Sequence, residues 1–319
     1  MSQQQAVNQK IAFIGECMIE LQEDANGTIH KSFAGDTLNT ALYMARLQNV
    51  HSAQVQYVTG LGTDKLSNAM IENWQSEGIH CDFIRRFADK LPGLYFVETD
   101  SSGERYFQYW RGQSAAKELF SGDDFDEQLA AVAQFDYIYL SAISVAILPT
   151  DGKKKLVQWL KSARLQGATV CFDNNYRPQL WPDLKDAQYW YQQVLENTDL
   201  ACHTYEDDQL IWGDSDPSQT FARLAGFGVS EIVLKRGIEP CLIEINKGER
   251  ISVPAMPVAK DELADTNAAG DSFSAGYLSA RLAGATPERA ANIGHLVAST
   301  VVRHRGAIIP KTAMPTIKI

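Results

Sequence analysis

Residues 265–278 read DTNAAGDSFSAGYL. Three small residues, Ala268, Ala269 and Gly270, precede an acid, Asp271, that opens a helix whose apolar stripe runs through Phe273, Gly276, Tyr277 and Ala280. Small residues let the backbone approach a ligand closely. The unpaired N–H groups of such a helix start, together with its dipole, suit phosphate oxygens or developing negative charge. A carboxylate at that place can take a proton from an alcohol held beside it; taken alone, Asp271 also reads as a simple N-cap. The helix spans Gly270 to Leu282, and a second one, Pro287 to Arg303, closes the chain.

Upstream, short apolar strand candidates take turns with longer helical stretches. Ile11 to Gly15 precedes Asp36 to Leu47, Val55 to Val58 precedes Asp64 to Glu77, and Tyr137 to Leu140 precedes Gly152 to Leu165. Thr169 to Phe172 comes before a helix near Leu184 to Leu195, and Ile232 to Leu234 follows one near Pro217 to Phe227. Such alternation predicts parallel βαβ units, an α/β fold with helices on both faces of a mostly parallel sheet. With no internal repeat, low-complexity block or linker, residues 1–319 are expected to form a single domain.

Two regions break the rhythm. Met18 to Leu21 and Thr28 to Phe33 flank Asn26-Gly27, a dipeptide suited to a tight hairpin. Leu94 to Glu98 and Arg105 to Trp110 flank Asp100 to Gly103 as a second hairpin. These inserts, approximately 17–34 and 91–112, read as a small β-ribbon lid. In the second, a period of two puts Phe107, Tyr109 and Arg111 on one face, with Tyr95 and Val97 together on the partner strand. That face can cover a polar ligand; an ordinary amphipathic hairpin has the same pattern.

Of the 319 residues 45% are apolar and 21% charged, ample for a substantial core. Twenty-nine Lys and Arg against 39 Asp and Glu leave a formal charge of −10, which argues against nucleic acid or an anionic membrane as partner. The polar start MSQQQAVNQK, and the lack of an apolar run near the roughly 18 residues of a membrane span, predict a soluble, cytoplasmic protein without signal or anchor. Five scattered cysteines without a C-x-x-C pair fit reduced thiols. A P-loop is absent, Gly60-Leu-Gly62 lacks the third glycine of a dinucleotide fingerprint, and no Cys/His cluster offers a metal cage. His30, His51 and His80 read as surface or loop residues. Magnesium, if used, would rely on nucleotide phosphates.

Asp265 to Phe273 resembles the D-T-x-G-A-G-D-x-F motif of the ribokinase-like (phosphofructokinase B) carbohydrate kinases. Gly35-Asp36-Thr-Leu-Asn39 before an Ala-rich helix resembles their N-terminal Gly-Gly-x-x-x-N motif. The likeness spans the chain. It is strongest to the branch acting on 2-keto-3-deoxygluconate, through GECMIEL (15–21), GDTLNTALYMARL (35–47), LPGLYFVETD (91–100), FDNNYRPQLW (172–181) and RGAIIP (305–310). The resemblance implies a ribokinase-like fold and ATP-dependent phosphorylation of the sugar's C6 hydroxyl. Fructose or ribose as substrate, and a sugar sensor without chemistry, are the rival readings.

The resemblance also implies roles. Asp271 is the base, and the N–H groups of Ala268, Ala269 and Gly270 form the anion hole. Gly35, Asp36 and Asn39 meet substrate hydroxyls, although Asp36 and Asn39 alone would also serve as helix caps. Tyr95, Tyr109 and Arg111 are lid contacts, and Arg177, in the Asp173-x-Asn175-x-Arg177 run, is the anchor for carboxylate and hydroxyl. On the nucleotide side stand Asn175, Lys235 and Gly237 of the K-x-G turn, and His295, which also reads as a packed core histidine. Thr204-Tyr-Glu-Asp207 replaces an Asn-x-x-Glu segment found near magnesium in relatives, so the metal ligands stay unassigned. Ala268 stands where a glycine is usual and is expected to have an unstrained φ. The implied cofactors are ATP, Mg2+ and, in some members, a monovalent cation; the implied partners are a small acid sugar and a second copy of the chain, because an open ribbon edge often pairs with another.

Overall fold

The computed structural model describes residues 9–23, 26–99, 105–122 and 135–318. In chain order its strands are β1 (Lys10–Ile14), β2 (Met18–Glu23), β3 (Ile29–Ala34), β4 (Gln54–Gly62), β5 (Ile84–Phe87), β6 (Leu94–Thr99), β7 (Arg105–Trp110), β8 (Tyr137–Ser141), β9 (Thr169–Asp173), β10 (Leu200–Thr204), β11 (Glu231–Lys235), β12 (Cys241–Ile245) and β13 (Ile251–Val253). Among the described residues the α-helices are α1 (Asp36–Arg46), α2 (Lys65–Ser76), α3 (Ala142–Ala146), α4 (Thr150–Leu165), α5 (Leu184–Leu195), α6 (Tyr205–Trp212), α7 (Pro217–Gly226), α8 (Ala269–Leu282) and α9 (Pro287–Val301).

Nine strands form the main sheet in the order β13-β12-β11-β10-β9-β8-β1-β4-β5. From β11 through β5 every pair is parallel, and β12 and β13 extend the sheet as antiparallel strands. The central strands are apolar throughout because both faces are covered: Ile11 and Phe13 enter one core, Ala12 and Ile14 the other. The chain turns from one side of β1 to the other between β5 and β8, so the strand order reverses at β1/β8. Ligand crevices in such sheets lie beyond the carboxyl ends of the strands at that point.

β10 escapes the sequence reading because LACHT ends on the polar residues His203 and Thr204, which cut its apolar run to three residues. The ring is buried and its Nδ1 bonds Asp208 Oδ2 at 2.9 Å, so a tertiary contact lets a polar residue sit in a core strand.

The two hairpins do pair as antiparallel ribbons, β2 with β3 and β6 with β7. Parallel pairing of β2 with β6 then joins them into one four-stranded sheet, β3-β2-β6-β7. Gly27 turns at a φ of 79°, while the turn at 100–103 lies outside the described residues.

All five cysteines are free, and four are buried. One histidine departs from expectation: His51 is buried, its Nε2 against the Met44 carbonyl at 3.0 Å, because the loop after α1 folds back onto that helix. Among the described residues no helix is long and apolar enough to cross a membrane. α8 and α9 cross backbone to backbone, since a Cβ on Gly276 would lie 2.9 Å from the Gly294 Cα.

Candidate active site

A cavity of about 880 Å3 opens where the parallel strands end, between the main sheet and the smaller one. Its size is that of a site for a small molecule with a large polar co-substrate. The strand ends supply Asp173 after β9, Thr204 after β10 and Lys235 after β11, and the start of α8 supplies Ala268 to Asp271. The smaller sheet roofs it with Tyr95, Phe107 and Tyr109. Register places Tyr95 opposite Tyr109 and Val97 opposite Phe107, which is the face that the period of two picked out. The Tyr95 hydroxyl is given to Glu20, so towards the cavity this residue offers its ring.

The sequence motif 265–271 folds as a pinned turn. Asp265 accepts from Asn267 N–H at 3.0 Å and from Gly306 N–H at 2.8 Å, tying the turn to the segment 305–310. The Ala269 N–H closes the turn on the Thr266 carbonyl at 3.3 Å, and Ser272 N–H takes the Ala268 carbonyl at 2.9 Å. Among the described residues no acceptor meets the N–H groups of Gly270 and Asp271. Ala269, expected to share the anion hole, thus spends its N–H locally. Among the described residues the Ala268 N–H, also expected in the anion hole, likewise meets no acceptor, so the unspent donors are those of Ala268, Gly270 and Asp271.

Ala268 is not unstrained. It has φ 57° and ψ 17°, the left-handed region that disfavours any Cβ. The turn imposes this, because the chain must reverse between the Thr266 carbonyl and the helix. Ala268→Gly is therefore expected to raise stability by about 0.5–1 kcal/mol in urea unfolding; unchanged or lowered stability would show that the turn stores no such strain.

Three carboxylates converge here, each with a different partner. Asp173 is an ion pair with Lys235 Nζ at 2.7 Å and also accepts from the Tyr139 hydroxyl at 3.1 Å. Burial opposes ionisation of Asp173, but the Lys235 charge outweighs it and holds the acid below its usual range. Asp36 Oδ2 accepts from Asn175 Nδ2 at 2.8 Å. Asp271 Oδ2 accepts from Asn39 Nδ2 at 2.8 Å. Burial, then the charge of Asp36, pushes the Asp271 acid up to about 8, with the Asn39 hydrogen bond acting in the opposite direction. A carboxyl held near neutrality is suited to accept a proton during a reaction.

The remaining expected residues divide. Gly35 and Arg177 line the cavity, and a Cβ on Gly35 would fall 2.2 Å from the Glu16 carbonyl, so only glycine lets the chain enter α1 there. Arg111 lines it too but is paired with Glu16, a buried acid the sequence reading passed over. The available signal was its place directly after the first strand. Asn175 lines the cavity with its amide turned to Asp36. Gly237 turns the chain after β11 at φ 58°, and His295 packs edge-on against Phe273 with ring centroids 5.0 Å apart; neither is among the cavity's lining residues. Asp207, also unassigned from sequence, faces the cavity and is raised to about 6, chiefly by burial.

Residues 8–314 match the family described as pfkB family carbohydrate kinase. A 2-dehydro-3-deoxygluconokinase of Dickeya dadantii (strain 3937) is 48% identical over 305 residues, covering 96% of this chain and 98% of the relative. One of Escherichia coli (strain K12) is 47% identical over 309 residues, covering 97% of this chain and 100% of the relative. Among solved structures, a fructokinase with bound ATP from Xylella fastidiosa superposes with a TM-score of 0.80 at 22% identity, covering 97% of this chain and 96% of that one. A protein described as a ribokinase II from E. coli, in complex with ATP and Mg2+, does so with a TM-score of 0.79 at 19% identity over 94% of each chain. The fold is ribokinase-like.

Proposed function

The chain belongs to the pfkB family of carbohydrate kinases, and from that premise we propose that it transfers the γ-phosphoryl group of ATP to the C6 hydroxyl of 2-keto-3-deoxygluconate, also called 2-dehydro-3-deoxygluconate. The observation that carries the chemistry is the Asp271 carboxyl, set beside the unspent amides of the helix start and opening on the cavity. Asp271 takes the hydroxyl proton as the sugar oxygen bonds to phosphorus and the bond to the leaving ADP breaks. The N–H groups of Gly270 and Asp271 meet the charge on the transferring group. The lid aromatics exclude water, a competing acceptor. A sugar sensor would need no such base.

Among the described residues no cluster of His, Cys, Asp or Glu could hold a metal by itself. Mg2+ keeps its waters and binds chiefly through nucleotide phosphates, so it needs few protein ligands. When bound it neutralises phosphate charge. Asp207, a cavity carboxylate with no ion pair among the described residues, would face it through water.

Acid-sugar preference is assigned to Arg177. The Arg111 charge is already met by Glu16, whereas Arg177 has no ion pair among the described residues and donates only to the Tyr176 carbonyl, at 2.7 Å. Arg177→Ala is expected to lower kcat/KM for the ketoacid by about 10–150-fold, the worth of a charge-assisted hydrogen bond, with ATP affinity and any fructose background nearly unchanged. A coupled ADP-release assay over ketoacids and neutral sugars, with and without K+, tests substrate and cation dependence together. Wild-type preference for fructose or ribose would overturn the acid-sugar reading.

The proposal includes self-association. β7 is a sheet edge whose outward side chains Tyr106 and Trp110 are 49% and 59% exposed, a surface suited to pairing with a second copy. Sedimentation of the purified protein reads it directly, and a monomer at micromolar concentration would remove it.

A further inference from the structure

Asn39 lines the cavity and its side chain bonds Asp271. Asn39 lies in α1, 4% exposed, and Asp271 in α8. Its side-chain orientation is set from both ends: Nδ2 points to Asp271 Oδ2 at 2.8 Å, and Oδ1 points to the Gly35 N–H at 3.5 Å. The helix fixes the backbone below, with Asn39 N–H on the Gly35 carbonyl at 2.7 Å. An amide NH2 only donates, so this hydrogen bond is strongest to an unprotonated carboxylate oxygen and is weakened by a proton on Oδ2.

We propose that Asn39 is a positioning residue for the base: it occupies Oδ2 of Asp271, keeps the proton off that oxygen, and leaves Oδ1 as the atom that receives the proton of the substrate hydroxyl. This rests on the reading of Asp271 as the base. The titratable groups facing Asp271 are Asp36 and Tyr43 from α1, Tyr139 from β8, Asp173 from β9 and Lys235 from β11. Asp36 and Asp173 favour the protonated acid and Lys235 the ionised one, while both tyrosines are raised above their ordinary range and stay neutral. Lys235 is committed to Asp173 at 2.7 Å. Asn39 is therefore the direct side-chain donor through which the fold stabilises ionised Asp271.

A sugar contact and a positioning role separate in kinetics. The test measures kcat, KM and kcat/KM across pH for wild type, Asn39→Ala and Asn39→Ser, with Asp271→Asn as control. A hydrogen bond to a charged group is worth about 10–150-fold, so the acid limb of kcat/KM should move up by about 1–2 pH units in the Asn39 variants. At neutral pH kcat should fall by a similar factor and recover towards alkaline pH, while sugar KM changes less than about threefold. A raised KM with an unmoved limb would make Asn39 a sugar contact, and a uniform loss at every pH would make it structural; either overturns the inference. Should Asn39→Ala fail to fold, Asn39→Ser and 13C titration of the Asp271 carboxyl in the unliganded protein decide, an unmoved acidity overturning it. If Asp271→Asn is inactive and the limb is unmoved, this inference alone fails; if Asp271→Asn keeps its activity, the base reading falls and takes this one with it.

Discussion

Asp271→Asn is expected to lower kcat by about 10²–10⁴-fold, the usual consequence of removing a general base. The amide is near-isosteric, and its oxygen can still accept from Asn39, so the loss is chemical and not structural. The same variant should melt at a higher temperature than wild type at neutral pH. The Asp271 acid stands at about 8 in the folded protein, against about 4 in an unfolded chain. An acid raised in this way destabilises the fold increasingly as pH rises from the unfolded value towards the folded one, because the unfolded state gains by ionising and the folded state does not. The stabilisation from Asp271→Asn at pH 7 is thus on the order of 1–4 kcal/mol and vanishes towards pH 4. Turnover and melting at both pH values check it. A variant keeping more than roughly a tenth of wild-type kcat would exclude Asp271 as base, and an unaltered melting temperature at pH 7 would exclude the raised acid.

Lys235→Met should destabilise the protein by about 3–5 kcal/mol, the cost of leaving a buried carboxylate without its cation. Lys235 and Asp173 are 8% and 4% exposed and 2.7 Å apart, and the tyrosine and serine hydroxyls around Asp173 stabilise its charge only in part. Removing the charge as well, in Asp173→Asn combined with Lys235→Met, should recover most of the loss, since the penalty belongs to the unpaired ion and not to the missing lysine. Urea unfolding of the two single variants and the double variant measures this coupling. Additive losses would mean that the pair does not act as a unit. The K-x-G resemblance assigned Lys235 to ATP phosphates; the ion pair adds a task, tying the end of β9 to the end of β11, and the Michaelis constant for ATP in a folded Lys235 variant separates the two.

Much of this fold was legible because its signals are local. The apolar runs of β1, β8, β9 and β11 and the helical periods between them record which faces are covered, and covering is a property of a few consecutive residues. The antiparallel extension β12 and β13, and β10 with its buried histidine, lacked that record. The sequence could be read for two hairpins, but not for their union: β2 meets β6 along a parallel seam that no turn dictates.

The site divides in the same way. The run Ala268 to Asp271 announced a helix start with a carboxylate, because small residues before an acid constrain their own backbone. Which donor serves which acid could not be read there. Lys235 reaches Asp173 across 62 residues, Asn175 reaches Asp36 across 139, and Asn39 reaches Asp271 across 232. Ala268 shows the limit at its narrowest, since its left-handed φ is set by a turn that Asp265 anchors to Gly306, 41 residues away. The sequence by itself determined the layered α/β architecture, the two ribbons and the helix start that carries Asp271, since each follows from nearest neighbours along the chain. The tertiary structure alone decided the pairing of charges, because burial makes every carboxylate depend on whichever donor the docking of strands and helices brings within about 3 Å.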